Sequence, residues 1–321
     1  MIKLGALYSQ PDVRDYTLEK VGLSINPNEK VQETSAQYAP KSYDQGHTQQ
    51  CWAYALSGII EAMMLKETKI RTNFSKSFIF GNRRDSDYQG EGLVGRQAVK
   101  NLVNNGVVYN NDFPILDTAN DCINALNENK SELFNMASPY RPKAYLKLNN
   151  VQEVYAYIEK YRLPVGVIFD VYENITDIGS DAIIPDPAGR KIGGHGVVQS
   201  GIAIHNDIVY ARIINSWGLD WGVLGQGYLK VDYIKEAWAL LPKDDILLKK
   251  EIDTVIIKTL QGKLITYSGL EIIGEYDVKT INSEGKLYGE FAIPFNAIGW
   301  EQKTWDNQNK IASFGKVKKV I

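Results

Sequence analysis

The 321-residue sequence contains only two cysteines, Cys51 and Cys122. Two cysteines allow at most one disulfide, which excludes a small secreted scaffold held by several bridges and is typical of a reducing compartment. No run of about 18 apolar residues is present, so the sequence predicts no transmembrane helix. The first residues, M-I-K-L-G-A-L-Y-S-Q-P-D, lack an apolar segment followed by a small-residue cleavage site, and we therefore expect no secretory signal.

An excess of either charge is also absent, since 36 Lys and Arg balance 38 Asp and Glu to a formal net charge of −2. This balance argues against nucleic acid or an anionic membrane as a partner. Metal-ligand spacing is missing too: Asp177, Asp181 and Asp186 lack the pattern of a calcium loop and are interpreted as solvated loop carboxylates. We expect neither a metal nor another cofactor.

The composition that remains, 44% apolar and 23% charged, is that of a globular protein, and the length predicts about two domains. Apolar residues at three- and four-residue spacing predict helices that begin at Cys51 and that cover residues 95–103, about 121–134 and 151–161. Four β-rich runs follow: V-G-V-I-F-D-V-Y, V-V-Q-S-G-I-A-I, I-V-Y-A-R-I-I-N and G-Y-L-K-V. Because helices precede strands, we predict an α+β fold with a groove between its two halves.

We predict three segments along the chain. Residues 1–34 are interpreted as an N-terminal arm or short prosegment, residues 35–242 as the main domain and residues 243–321 as a small β-rich module. A hairpin with its turn at 261–263 is expected in the module, and E-I-I-G-E-Y-D-V-K-T-I and K-L-Y-G-E-F-A-I-P-F are predicted to form further strands. Trp300 and Trp305 are candidate contact residues for a binding or assembly partner, although packing inside the module explains them equally well.

Cys51 raises the question of chemistry, because a lone cysteine at the start of an apolar helix is usually a core residue. A nucleophilic cysteine needs a base, a group that orients the base, and donors for the oxyanion. A helix N-terminus favours the thiolate, and the amide of Gln45, on the preceding loop, is placed to donate to an oxyanion.

His195 lies between Gly194 and Gly196 at the start of a predicted strand, where the glycines let a substrate backbone approach. Asn215 opens N-S-W-G-L-D-W-G, and its side-chain carbonyl is suited to hold an imidazole N–H, with Trp217 as a shield against water. The other two histidines fit less well. His205 is expected in a solvated turn, and His47 is expected at the rim of the groove without a catalytic role.

Together these motifs resemble those of the papain-like cysteine peptidases, in order and spacing, over about residues 35–242. The resemblance implies a helical left lobe and a β-rich right lobe, and hydrolysis of peptide bonds by a triad of Cys51, His195 and Asn215 with Gln45 at the oxyanion. It also implies substrate-binding residues: Gly92 pairs with the substrate backbone, Leu93 and Val94 line the pocket for the residue two positions before the scissile bond, and the remaining contacts come from Gly194, Gly196 and Trp217. Gly196 is expected to leave that pocket open at its floor, so an apolar or aromatic substrate residue is expected there.

The sequence departs from the family pattern in two places. Gln49-Gln50 stands where the family has a small pair before the cysteine, and is expected to crowd the nucleophile. The disulfides and long helical prosegment of secreted members are not expected here, and Cys122 is interpreted as a buried helix residue. These features indicate a bacterial or viral-type branch, cytoplasmic or virion-associated.

Two other functions stay open. One is a papain-fold structural or binding protein, such as a viral or phage assembly component, with little or no turnover; Gln49-Gln50 and the C-terminal module favour it. The other is hydrolysis of peptide cross-links in a bacterial cell wall, with the module as a wall or glycan binder.

Overall fold

The protein is described here from a computed structural model, which covers residues 3–23, 25, 26, 28 and 30–242 in full. Beyond them it describes the backbone of five strands between residues 255 and 316. The chain divides into two compact units, Met1–Ile246 and Leu247–Ile321.

Helices dominate the first half of the first unit: α1 Cys51–Thr68, α2 Lys76–Gly81, α3 Gly95–Asn105, α4 Ala119–Glu128, α5 Lys130–Ala137 and α6 Val151–Tyr161. The predicted starts of α1, α3 and α6 are confirmed, and Gly106 caps α3 with φ 81°. The single helix expected near 121–134 is wrong, because the chain breaks at Asn129 into two helices. None of the helices in the described residues is long and apolar enough to cross a membrane.

Strands dominate the second half of this unit. In chain order the strands are β1 Ala6–Leu7, β2 Thr34–Ser35, β3 Leu93–Val94, β4 Ala144–Leu148, β5 Val165–Tyr172, β6 Lys191–His205, β7 Ile208–Ile214, β8 Gln226–Lys230 and β9 Ile234–Leu241. Seven of them form one antiparallel sheet in the order β4-β9-β5-β6-β7-β8, with β2 on β6. The four predicted strands are confirmed as β5 to β8, and the sequence pattern had not indicated β4 or β9.

Helix α1 joins the two halves. Every residue from 51 to 63 is buried, so α1 is a core helix rather than an amphipathic surface helix. It approaches the sheet closely at two glycines: a Cβ placed on Gly166 or on Gly196 would lie 2.6 Å from the Trp52 indole. On its other side the Trp52 indole N–H donates to the Gly95 carbonyl at 3.2 Å, at the start of α3. These contacts fix the N-terminus of α1 against β6.

The second unit contains five antiparallel strands: β10 Val255–Leu260, β11 Lys263–Ser268, β12 Glu271–Asp277, β13 Trp300–Asp306 and β14 Ile311–Lys316. Their order is β12-β11-β10-β14-β13. The predicted hairpin is present, since β10 pairs with β11 through Leu260 and Lys263. The strand predicted from K-L-Y-G-E-F-A-I-P-F, and the side chains of Trp300 and Trp305, lie outside the described residues.

Candidate active site

The segments that carry the residues predicted for catalysis meet where the N-terminus of α1 packs against the sheet. Cys51 is the first residue of α1, His195 lies in β6, and Asn215 directly follows β7. The backbone N–H of Gly196, the neighbour of His195, hydrogen-bonds the Cys51 thiol. Gln45 reaches the same place from the loop before α1, and its backbone N–H donates to the Ser216 carbonyl at 2.8 Å.

His195 is held in one orientation by Asn215. Its Nε2 lies 2.7 Å from Asn215 Oδ1, and the backbone N–H of Ser216 donates to that same Oδ1 at 2.8 Å. An atom that accepts from Ser216 must be the amide oxygen, so His195 Nε2 is the donor. In the neutral imidazole Nδ1 is therefore the proton acceptor. His195 Nδ1 is buried and has no hydrogen-bond partner among the described residues.

Trp217 covers this pair. Its ring stacks on the His195 imidazole with 4.4 Å between centroids and 23° between planes, and Trp221 meets Trp217 edge-on at 5.6 Å. The chain beside it is fixed by the N–H of Gly218, which donates to the Tyr43 carbonyl at 3.0 Å. Stacking excludes water from one face of the imidazole, as expected for Trp217.

Burial controls the pKa of both Cys51 and His195, which are each 0% exposed. Burial raises the pKa of the Cys51 thiol, and hydrogen bonds from the backbone of Gly196, Gly5, Trp52 and Ala6 oppose that rise. Burial lowers the pKa of His195 to about 4, and the hydrogen bond to Asn215 acts in the opposite direction. In this state the thiol and the imidazole are both neutral.

Gln45 has its side-chain amide fixed at both ends. Its Oε1 accepts from the Ser216 hydroxyl at 2.6 Å, and its Nε2 donates to the carbonyl of Thr48 at 2.7 Å and to that of Lys3 at 3.1 Å. One N–H of the Gln45 amide therefore points toward the N-terminal arm, where the Lys3 carbonyl oxygen accepts its hydrogen bond.

Among the residues that the structure describes, no group of three or more His, Cys, Asp or Glu side chains is arranged to hold a metal.

The family model for papain family cysteine proteases matches residues 28–240. The chain belongs to the papain family. The description of that family is one of cysteine proteases.

Papain-family relatives support the same fold. The chain is similar to the probable cysteine protease RDL4 of Arabidopsis thaliana (24% identity, covering 59% of this chain and 49% of that protein) and to the oryzain gamma chain of Oryza sativa subsp. japonica (25%, covering 59% and 51%). It spans about half the length of these curated relatives. Among solved structures it is similar to xylellain, a cysteine protease from Xylella fastidiosa (TM-score 0.60, 22% identity, covering 74% of this chain and 96% of that chain), and to proCathepsin B S9 from Trypanosoma congolense (TM-score 0.59, 14% identity, covering 75% and 86%).

A segment of the N-terminal arm, residues 3–10, runs through the papain-family groove, and we call it the strap. Its residues Ala6–Leu7 form β1, which pairs in parallel with β3, and the Gly5 carbonyl accepts from Leu93 N–H at 2.7 Å. The strap backbone passes close to the wall, since a Cβ placed on Gly5 would lie 1.9 Å from the Gln49 carbonyl oxygen. The strap therefore covers Cys51.

Four of the predicted substrate-binding residues contact the strap, namely Gly92, Leu93, Val94 and Gly194, whereas Gly196 does not. Gly92 (φ 111°), Leu93 and Gly194 face the strap, and a Cβ on Gly194 would lie 2.3 Å from the Ala6 carbonyl oxygen. Val94 pairs with Leu7. Gly196 does not leave an open pocket floor, as its bare side is filled by the Trp52 indole.

The Gln49-Gln50 pair does not crowd the nucleophile in the expected way. Gln50 is fully buried and points away from the groove: its Nε2 donates to the Leu116 carbonyl and its Oε1 accepts from Ser77 at 3.2 Å. Cys122 lies in the same cluster, with its sulfur 3.9 Å from Gln50 Nε2. Burial raises the pKa of the Cys122 thiol to about 12. Gln49 meets the strap, since a Cβ on Gly5 would lie 1.9 Å from the Gln49 carbonyl oxygen and 2.9 Å from the Gln49 Cβ.

Two functional candidates were missed from sequence. Glu236, in β9, accepts both the N–H and the hydroxyl of Ser9, and Asp170, in β5, accepts the Tyr8 hydroxyl. Neither lies in a motif, and each stands in an ordinary strand sequence, so no local signal marks it. His47 and His205 are exposed, and His205 lies at the β6–β7 turn as predicted.

Proposed function

We propose that this papain-family chain hydrolyses peptide bonds through Cys51, His195 and Asn215, with Gln45 and the Cys51 N–H holding the oxyanion. The observation that carries the proposal is the state of His195. Its Nε2 is committed to Asn215, which leaves Nδ1 as a buried proton acceptor, and the backbone N–H of the next residue, Gly196, contacts the Cys51 thiol at the N-terminus of α1.

The reaction follows from that arrangement. His195 Nδ1 takes the Cys51 proton, and the thiolate attacks the substrate carbonyl. The imidazolium then protonates the leaving amine, and the neutral imidazole activates the water that hydrolyses the acyl-enzyme. Gln45 supports this assignment because its Nε2 already donates to a carbonyl oxygen in the groove, that of Lys3.

The test uses the full chain with Tyr8→Ala and Ser9→Ala, which loosen the strap, and measures hydrolysis of an unfolded protein and labelling by an epoxide trap. Cys51→Ala and His195→Ala are expected to abolish hydrolysis, and Cys51→Ala to abolish labelling. Gln45→Ala removes one oxyanion donor and is expected to lower kcat on the order of 100-fold, with Asn215→Ala also milder than loss of Cys51.

Cys122→Ala is the matched control, because this second buried cysteine lies outside the groove and is expected to leave hydrolysis unchanged. Full hydrolysis by the Cys51→Ala chain would contradict the proposed nucleophile.

A binding or assembly protein with little turnover is the second candidate function, because the strap leaves Cys51 and His195 fully buried. A loosened strap that gives trap labelling without hydrolysis would favour it. A cell-wall peptide hydrolase shares the chemistry and is distinguished by its substrate, when purified peptidoglycan is compared with an unfolded protein.

Substrate preference belongs to the same proposal. We expect an apolar or aromatic residue in the pocket lined by Gly92, Leu93 and Val94. The Glu236 carboxylate lies close to this pocket, because a Cβ on Gly95, the residue directly after Val94, would lie 2.5 Å from Glu236 Oε2. A peptide library with a dominant basic or acidic preference at that position would contradict the apolar assignment.

We also propose a bacterial or viral-type branch and a cytoplasmic or virion-associated setting. Both cysteines are buried free thiols, and the alignment with xylellain covers 96% of that chain. Residues 243–321 are proposed to be a separate binding module. Truncation after Pro242 is expected to leave a folded domain that still cleaves small peptides; an insoluble or inactive product would show that the module is part of the catalytic fold.

A further inference from the structure

The β-rich half of the first unit contains a cavity that the proposed catalysis does not use. It has a volume of about 290 Å³ and lies between the start of α6, the 3₁₀ helix Val231–Tyr233 and the first residues of β9. Cys51, His195 and Asn215 lie outside its lining. A cavity of about 150 Å³ is enough to hold one benzene ring, so this cavity has room for a compound of one or two rings.

Half of the residues that line the cavity are apolar. They come from the end of β4, the first turns of α6 and the segment that leads into β9: Leu148, Val151, Val154, Val231, Ile234 and Ala237. Glu236 also contributes to the lining, but its carboxylate accepts from the Trp238 indole N–H at 2.8 Å. The cavity therefore offers a ligand an apolar wall.

The start of α6 does not make the cavity an anion site, because the chain already satisfies this helix end. Asn150 Oδ1 accepts from Glu153 N–H at 2.9 Å, and Glu153 Oε2 accepts from Asn149 N–H at 2.7 Å. The Glu153 carboxylate is thus itself the anion at the helix N-terminus. Asp232 and Lys235, at the rim, are exposed side chains of opposite charge. The lining therefore favours a neutral ligand.

Gln199, in β6, lines the cavity and is 0% exposed. Gly196 faces the Trp52 indole of α1, and side chains alternate along a strand, so Gln199, three positions further on, faces the opposite side of the sheet. Its Nε2 donates to the Gly201 carbonyl at 3.1 Å, which fixes the end of the amide that carries the oxygen.

The other end of the Gln199 amide has an unmet hydrogen-bond requirement. Its Oε1 is buried and has no hydrogen-bond partner among the residues that the structure describes. A buried acceptor in this state costs free energy, and a donor that reaches it from the cavity would remove that cost. A ligand suited to this cavity therefore combines an apolar body with one donor.

We propose that the cavity is a binding site for a neutral aromatic ring with one hydrogen-bond donor, an indole or a phenol, whose N–H or O–H donates to Gln199 Oε1. Such rings join a large apolar surface to a single polar atom. The indole N–H is a donor only, and so complements an atom that can only accept. The same chemistry occurs in free aromatic compounds and in the Trp and Tyr side chains of peptides.

The test compares indole with indene, which has the same two rings without a donor, on the full chain. NMR titration of the methyl groups measures the affinity and locates the ligand, through the signals of Val151, Val154 and Ile234. We expect indole to shift these signals and to bind with a Kd of about 1 mM or tighter.

Gln199→Met removes the acceptor and keeps a side chain of similar length. We expect the ratio of the indene Kd to the indole Kd to fall about tenfold in this variant, and the cycle of two ligands and two proteins cancels the difference in their hydrophobicity. Gln50→Met is the matched control, because this fully buried glutamine bonds Leu116 and Ser77 outside the cavity; it is expected to keep the ratio. Melting temperatures check that both variants fold.

Two further probes distinguish the sources of the ring. N-acetyltryptophanamide is titrated into the Cys51→Ala chain, which prevents its hydrolysis, and is compared with indole there. Binding as tight as that of indole would assign the site to a side chain of a peptide. Exclusion of the amide, with indole still bound, would assign it to a free aromatic compound.

Val154→Phe fills the cavity and is expected to abolish the binding of both indole and indene. Three results would overturn the proposal: methyl signals at the cavity that do not change at millimolar indole, an indene-to-indole ratio that is the same in Gln199→Met, or indole binding that survives in a folded Val154→Phe chain. None of these measurements uses hydrolysis, so failure here and failure of the proposed peptidase function are distinguishable.

Discussion

The strap and the described residues between 15 and 36, which we call the anchor, are neighbours in sequence but are bound to the domain by different forces. The strap lies in a groove and is held mainly by hydrogen bonds to groups that would bind water in its absence; its apolar contacts are those of the small Ala6 side chain and the half-buried Leu4. The anchor buries Leu18 and Val31 and adds a strand to the sheet, and apolar burial is lost entirely when such a segment leaves. The difference indicates that the anchor contributes more than the strap to the stability of the domain.

Leu18→Ala should have the largest effect on stability. It removes a side chain that is 1% exposed, and we expect the free energy of unfolding to fall by about 2–5 kcal/mol. Leu4→Ala in the strap, where the side chain is half-buried, is the matched change and is expected to cost less than about 1 kcal/mol. Urea unfolding of the two variants measures the difference, and equal losses would remove the distinction between strap and anchor.

Asp15→Ala tests the polar part of the anchor. The Arg96 guanidinium would keep its buried position without its carboxylate partner, and Tyr145 would lose an acceptor, so we expect a loss of about 3 kcal/mol. Asp12→Ala, in the turn Pro11–Arg14, removes the pair with the exposed Arg14 guanidinium and is the control, expected to leave the melting temperature nearly unchanged. A double variant, Asp15→Ala with Arg96→Met, should recover part of the loss.

The pKa of His195 should report whether the strap is in place. In the closed chain it lies at about 4, below its ordinary value of 6.5, so the unfolded chain binds more protons between these values. Stability is therefore expected to fall as the pH drops from 6.5 to 4, by on the order of 3 kcal/mol, and His195→Gln should remove that part of the slope.

NMR titration of the histidine side chains checks this directly. Opening the strap is expected to rehydrate His195 and raise its pKa toward 6.5, whereas Asp15→Ala is expected to leave the pKa low. A pKa that is the same in the closed and opened chains would show that the strap does not control burial of the imidazole.

Tyr8→Phe should have the smallest effect. It removes one hydrogen bond to Asp170, which contributes about 1 kcal/mol, and we expect the alkylation rate of Cys51 to rise by about fivefold with no change in melting temperature. Tyr43→Phe, which removes a comparable bond to Glu61 away from the groove, is the control and should leave Cys51 protected. An unchanged rate in Tyr8→Phe would show that this hydroxyl does not hold the strap.

Much of the fold could be predicted because its signals are local. Apolar periodicity identified α1, α3 and α6, and β-rich runs identified β5 to β8. Helix α2 was missed because six residues carry too little periodicity, although Ser75 caps it by accepting from Phe78 N–H. Strands β4 and β9 were missed because their burial depends on neighbours far away in sequence.

The sequence by itself determined the family, the α+β class and the identity of the residues proposed for catalysis, since the motifs around Cys51, His195 and Asn215 keep their order and spacing. Only the tertiary structure decided what covers them. The strap, Glu236 and Asp170 come together from β1, β9 and β5, and Gln50 turns into the left lobe rather than the groove. Such contacts join residues more than 150 positions apart, or depend on the direction a side chain takes, and packing of the complete domain sets both.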